Sequence, residues 1–106
     1  MQEPIKESTL RDQIFDYLTQ LGWVVWKDRQ TVRKPGKGTF RSSKGVADLH
    51  AVRKGKYLGI EVKKNGGVLR PEQALWISRV NDSGGTAIVV RSLEDLKFQM
   101  GQLYLP

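Results

Sequence analysis

The sequence predicts an α/β fold, a mixed β-sheet flanked by helices, with elements in the order α-β-β-β-α-β-α. Three observations carry this. Apolar residues recur at helical spacing in two segments, each bounded by a proline in front and glycine behind. Between those segments, Gly45-Val46-Ala47-Asp48-Leu49 and Gly59-Ile60-Glu61-Val62-Lys63-Lys64 alternate apolar and polar, as half-buried strands do. A β-rich apolar run, Thr86 to Val90, follows Gly84-Gly85.

The first helix is expected from about Pro4 to Leu21. Leu10, Ile14, Leu18 and Leu21 form its stripe, Pro4 suits the first turn and Gly22 stops it. Trp23-Val24-Val25-Trp26 reads as the first strand. From Lys27 to Gly45 the chain is polar and basic, broken by Pro35, Gly36 and Gly38, and reads as a long loop. The two alternating strands come next, closed by Asn65-Gly66-Gly67. Pro71 opens a helix to about Asn81, with Gln73, Trp76, Ile77 and Val80 on one stripe. After the strand at Thr86–Val90, Ser92 caps a last helix through about Met100. Neither an internal repeat nor a low-complexity tract is evident, so the 106 residues are expected to form one domain, 1–106, around one core.

The alternation fixes a register for the central hairpin. With Lys54-Gly55 at the turn, Asp48 lies opposite Glu61, Leu49 opposite Ile60 and Ala51 opposite Leu58. One face is then an apolar wall of Ala47, Leu49, Ala51, Leu58, Ile60 and Val62. The other carries Asp48, His50, Tyr57, Glu61 and Lys63. A shift of one residue would mix the faces and bury the charges. Directly opposed side chains have Cβ atoms roughly 4.5–5.5 Å apart, and like charges there are destabilising. Two carboxylates so close call for a cation, a shared proton or a lysine, and Lys63 stands two residues from Glu61 on the same face. A solvated salt-bridge cluster is the plain alternative for these three residues.

Composition narrows the chemistry. The chain has no cysteine and one histidine, which excludes disulfides, thiol nucleophiles and Cys-ligated zinc and leaves little for His-rich zinc sites or a Ser-His triad. Any metal should be held by oxygen, which favours Mg2+ or Mn2+. A formal charge of +7 and a pI near 9.9 favour a polyanionic partner, with nucleic acid foremost. No signal peptide or segment of transmembrane length is apparent, so a cytoplasmic protein without a membrane partner is expected.

Two polar residues fall on inward stripes. Glu7 lies one heptad before Ile14, and Gln73 precedes Trp76 and Ile77. An inward polar group needs a partner. A polar pocket holding a cation would serve both, whereas fraying near helix N-termini accounts for either alone. Lys27, Arg29, Arg33, Lys34, Lys37, Arg41 and Lys44 of the basic stretch are candidates to grip DNA phosphates without reading sequence. Phe40 either stacks there or packs beneath the loop. His50 reads as a satisfied surface residue, and Trp23, Trp26 and Trp76 as core.

Gly-Val-Ala-Asp-Leu, then Gly-Ile-Glu-Val-Lys, then Arg-Pro-Glu-Gln, resembles the PD-(D/E)xK nuclease superfamily, and within it the virus-type replication-repair nucleases (VRR-Nuc). The resemblance runs from the first helix to the strand at Thr86–Val90. Ala47 stands where the superfamily's motif has proline. The resemblance implies a restriction-endonuclease-like core and a divalent-metal-dependent DNA endonuclease. Asp48 and Glu61 would ligate Mg2+ or Mn2+ with the main-chain carbonyl of Val62. Lys63 would orient or deprotonate the attacking water, or offset charge on the scissile phosphate. Gln73 would support the site, and Glu7, with Glu3 and Asp12 as neighbouring alternatives, would hold a ligand or a water. It further implies a homodimer acting on branched DNA such as four-way (Holliday) junctions in DNA repair, in a bacterial or a phage- or virus-infected host cell. A non-catalytic DNA-binding subunit of the same fold, and a nuclease for nicked, flapped or single-stranded DNA, are the alternatives.

Overall fold

The computed structural model describes residues 5–28, 32–33, 39–40 and 45–104. Helix α1 (Glu7–Gln20) buries Leu10, Ile14 and Leu18, one stripe at four-residue spacing. It ends in a paired cap. Gly22 takes φ 93°, its N–H donates to the Thr19 carbonyl at 3.0 Å, and that of Trp23 reaches back to Leu18 at 3.0 Å. The cap delivers Trp23 into the core beside Leu18 and starts β1 (Val24–Lys27).

The basic stretch holds an element that its charge and glycine content had hidden. β2 (Val32–Arg33) and β3 (Thr39–Phe40) pair antiparallel, Val32 with Phe40 and Arg33 with Thr39. Two-residue strands are too short to show alternation, while Val32, Thr39 and Phe40 are all residues that suit strands.

β4 (Leu49–Arg53) and β5 (Lys56–Val62) form the expected hairpin. Leu49 pairs with Ile60, Ala51 with Leu58 and Arg53 with Lys56, the register that the alternation predicts. Lys54 (φ 51°) and Gly55 (φ 79°) make the two-residue turn with both residues left-handed, the geometry that matches strand twist. Helix α2 (Pro71–Asp82) ends in the same kind of cap at Gly84, φ 94°, with Gly85 N–H donating to Val80. β6 (Thr86–Val90) follows. α3 (Leu93–Tyr104) runs a turn beyond the expected Met100, and Ser92 Oγ accepts the Asp95 N–H at its start.

The main sheet is four-stranded in the order β1-β4-β5-β6. β4 is antiparallel to β1 and β5, whereas β5 and β6 are parallel across α2, so the sheet is mixed as expected. Leu49, Ala51, Leu58, Ile60, Val62 and Val90 pack with Leu10, Ile14, Leu18 and Leu96 into the core, beneath α1 and α3. The opposite face lies under α2. A Cβ on Gly59 would stand 2.9 Å from the Trp76 ring, so only glycine admits the helix this close. Gly45 does the same at the front of α2, where φ is 79° and a Cβ would clash with the Glu72 carbonyl oxygen.

Candidate active site

The apolar wall predicted for the hairpin is buried throughout, and Glu61 on the other face is buried as well, 3 % exposed. The β4–β5 register, continued one step beyond Leu49 and Ile60, sets Asp48 opposite Glu61. Asp48 is held by main chain on both sides. Its Oδ2 accepts the Val62 N–H at 2.9 Å, and its carbonyl accepts the Asp28 N–H at 2.9 Å.

Gln73 comes from α2 to complete the pocket, buried at 4 % exposure. Its Oε1 accepts the Arg70 N–H at 2.9 Å, which leaves its Nε2 to donate to Glu61 Oε1 at 2.8 Å. The Arg70 bond therefore settles which way the amide faces. The inward polar residue of the second helix has found a carboxylate partner. Lys63 Nζ lies at the rim, 3.9 Å from Glu61 Oε1.

The second oxygen, Glu61 Oε2, is buried without a hydrogen-bond partner. Burial, then the facing Asp48 carboxylate, push the Glu61 carboxyl up to about 8, against a weaker pull from Lys63. Two carboxylates, one with an unused oxygen and each opposed by the other, form a donor set that fits a hard cation. No cluster of three or more acidic, His or Cys ligands occurs among the described residues.

Glu7 sits in the first turn of α1 and reaches the end of β5, where its Oε1 accepts the Lys64 N–H at 3.1 Å. It therefore touches the main chain next to Lys63 through its carboxylate. Arg91 Nη1 donates to the carbonyls of Lys64 (3.1 Å) and Gly67 (2.7 Å), pinning the segment after Lys63. Among the basic candidates, Lys27 pairs with Asp12 of α1 at 3.0 Å and Arg33 lies in β2. Arg29, Lys34, Lys37, Arg41 and Lys44 lie outside the described residues.

Sequence reasoning missed a second network beside the carboxylates. His50 is buried, not on the surface. Its Nε2 lies 2.9 Å from Asp28 Oδ1 and its Nδ1 2.6 Å from the Tyr57 hydroxyl. Burial and the Asp28 charge push Tyr57 up to about 12. Trp26 is 44 % exposed and stacks on His50, with ring centroids 5.4 Å apart; it is not a core residue. The reason is the edge: β1 has a neighbour on one side only, so its apolar run is not enclosed. Trp23 is core, and Trp76 is half-buried over Gly59. The signal for His50 was its place on the Asp48 face, with Tyr57 on the partner strand.

The model of the VRR-NUC domain matches residues 6–94. Among solved structures, one described as a VRR_NUC domain superposes with a TM-score of 0.70 at 21% identity, covering 92% of this chain and 97% of the other. No curated protein sequence matches. The superposition shows a shared fold, and the family match spans the helix, hairpin and α2 that build the carboxylate pocket. The chain belongs to the VRR-NUC domain family and has its nuclease-type fold.

Proposed function

We propose that this chain is a divalent-metal-dependent DNA endonuclease that hydrolyses phosphodiester bonds at the Asp48–Glu61–Lys63 site. One observation carries the reading. A buried glutamate faces an aspartate with one oxygen unpartnered, a like-charge opposition that a bound cation would relieve. Mg2+ or Mn2+ held by Asp48, Glu61 and the Val62 carbonyl would polarise the phosphate and make water a nucleophile near neutral pH.

The protein's own contribution is placement. Asp48 is fixed by the Val62 and Asp28 N–H groups, and Glu61 by the Gln73 amide, so neither carboxylate need reorganise when a phosphate arrives. Lys63, mostly sheltered beside Glu61, would orient the attacking water or offset charge on the scissile phosphate. Gln73 supports Glu61, and Glu7 holds the strand end that carries Lys63. The basic residues Lys27, Arg29, Arg33, Lys34, Lys37, Arg41 and Lys44 supply phosphate contacts that position DNA without reading it.

Branched DNA and a homodimer are the substrate and assembly implied by the family resemblance. A two-fold junction cut on paired strands needs two equivalent sites, which a symmetric dimer provides. Incubation of the protein with labelled duplex, flap and four-way junction, each in Mg2+, Mn2+ or EDTA, tests the reading. Cleavage should require metal, favour the junction and be lost in Asp48→Ala. Binding without cleavage in every arm would replace the enzyme with a DNA-binding subunit of the same fold.

A further inference from the structure

We propose that the cleft at the turn end of the main hairpin binds a ligand combining a nucleobase with a phosphate, at a site separate from the carboxylates. The cleft has a volume of about 480 Å³ and lies between the end of α1, the β4–β5 turn and the end of α3. That volume falls in the usual range for small-ligand sites, roughly 300–1,000 Å³.

Its chemistry is that of an aromatic anion's receptor. The wall is aromatic: Trp23 meets Tyr104 edge-to-face, with centroids 5.6 Å apart, and Tyr17 stands nearby in the lining. The rim is cationic. Lys56 Nζ sits 5.4 Å from the Tyr104 ring centre and Lys97 Nζ 5.2 Å from that of Tyr17. Arg53 and Lys54 come from the turn itself. A Cβ on Gly22 would stand 3.3 Å from Arg53 Nε, so the Arg53 side chain lies along the bare main chain at that corner.

None of these four cations forms an ion pair with a carboxylate among the described residues; the ion pairs there involve other basic groups. Four like charges converging on one cleft repel one another, and an anion relieves that repulsion. A phosphate would meet the lysines and the guanidinium, while a base would lie against the rings. The main chain of Lys54 is set by its left-handed turn conformation, which fixes where its side chain leaves the cleft rim.

The site is remote from the proposed chemistry. Arg53 lies five residue steps along the strand from Asp48, about 16 Å at strand rise. The cleft also opens on the α1–α3 side of the sheet, whereas Glu61 and Gln73 lie under α2. It therefore stands independently of the nuclease reading. A free mononucleotide and the end of a DNA single strand carry the same recognisable chemistry.

Amide spectra of the ¹⁵N-labelled protein in EDTA, titrated with deoxyadenosine monophosphate, deoxyadenosine, inorganic phosphate and a short oligothymidylate, test the proposal. The variant is Lys54→Asn with Lys97→Ala. Both positions are exposed, and asparagine tolerates the φ of Lys54. Amides of residues 53–56 and 97–104 should shift with the mononucleotide, more weakly with nucleoside or phosphate alone. The double substitution should weaken binding about tenfold and leave Mg2+-dependent cleavage unchanged. Tighter binding of the oligonucleotide than of the mononucleotide would identify a strand end as the source, and equal or weaker binding a free nucleotide. Absence of shifts at these amides with all four probes up to about 10 mM, or shifts that survive the double substitution, would overturn it.

Discussion

Metal-free stability should fall steeply as pH rises, and Glu61 should be the cause. The Glu61 carboxyl is pushed up to about 8 from an ordinary 4.5. Between those values the folded state holds a proton that the unfolded state has lost, so the Glu61 contribution to stability is fullest below pH 4.5 and is lost as pH rises through 8. At about 1.4 kcal/mol per pKa unit, the loss between pH 5 and pH 8 is about 3 kcal/mol, a large share of a small domain's total. The substitution that isolates it is Glu61→Gln. The amide keeps an acceptor for Gln73 Nε2 and sets a donor opposite the Asp48 carboxylate. Urea denaturation in EDTA at pH 5, 6, 7 and 8 measures both proteins. Their stabilities should be close at pH 5 and diverge with pH, the variant being the more stable by about 3 kcal/mol at pH 8. Excess Mg2+ should close the gap by stabilising the wild type alone, since only it presents both carboxylates. Parallel pH profiles in EDTA would refute the reasoning, because the Glu61–Asp48 opposition would then cost the fold nothing.

Lys63→Arg should fold and bind DNA normally yet lose most of the cleavage rate, because the guanidinium is bulkier and is not deprotonated. Lys64→Arg, on an exposed neighbour, is the control, and equal activity in the two by a single-turnover assay would make Lys63 structural. Replacing Arg33, Lys34 and Lys37 together by Ala should weaken binding to all sequences alike, with the log–log salt slope falling by roughly 0.9 per lost phosphate contact. Fluorescence anisotropy over a salt series reads it, and an unchanged slope would move the DNA surface elsewhere. Gly45→Ala should destabilise by more than about 1 kcal/mol, since the added Cβ meets the Glu72 carbonyl, and should cut cleavage by shifting the first turn of α2 that carries Gln73. A melting temperature equal to wild type would show that α2 is not seated on that glycine.

The parts of this fold that were legible in the sequence are those in which local pattern and global packing agree. The hairpin register could be read because its alternation has only one alignment that buries Leu49, Leu58 and Ile60 and spares Asp48. Gly22 and Gly84 stopped their helices because left-handed caps favour glycine. Gln73 stood out as a polar residue on an apolar stripe, and its partner proved to be Glu61. The His50 network was illegible for a physical reason. His50 and Asp28 are 22 residues apart, and they meet only through the pairing of β1 with β4, in which Trp26 lies opposite His50. No local signal sets that register, and the stretch between the two strands is too polar to advertise one. Trp26 misled because an apolar run shows that a strand is apolar, not that the strand has neighbours on both sides.

The two faces of the central hairpin divide the requirements of fold and site between them. On the α1–α3 face, Leu49, Leu58 and Ile60 are fully buried, each worth about 1.5–3 kcal/mol. Together they exceed the cost inferred for holding Glu61 opposite Asp48. Alternation along β5 places Ile60 and Val62 on that face and Glu61 on the other, so the residue that costs stability is flanked by two that supply it. A strand with period two is well suited to this, because neighbours in sequence share a backbone position but not an environment. Substitutions on the apolar face should therefore change stability first and activity through it. Substitutions at Asp48, Glu61 or Lys63 should change activity while leaving the core intact, and in metal-free protein at alkaline pH the loss of a carboxylate should make the fold stronger.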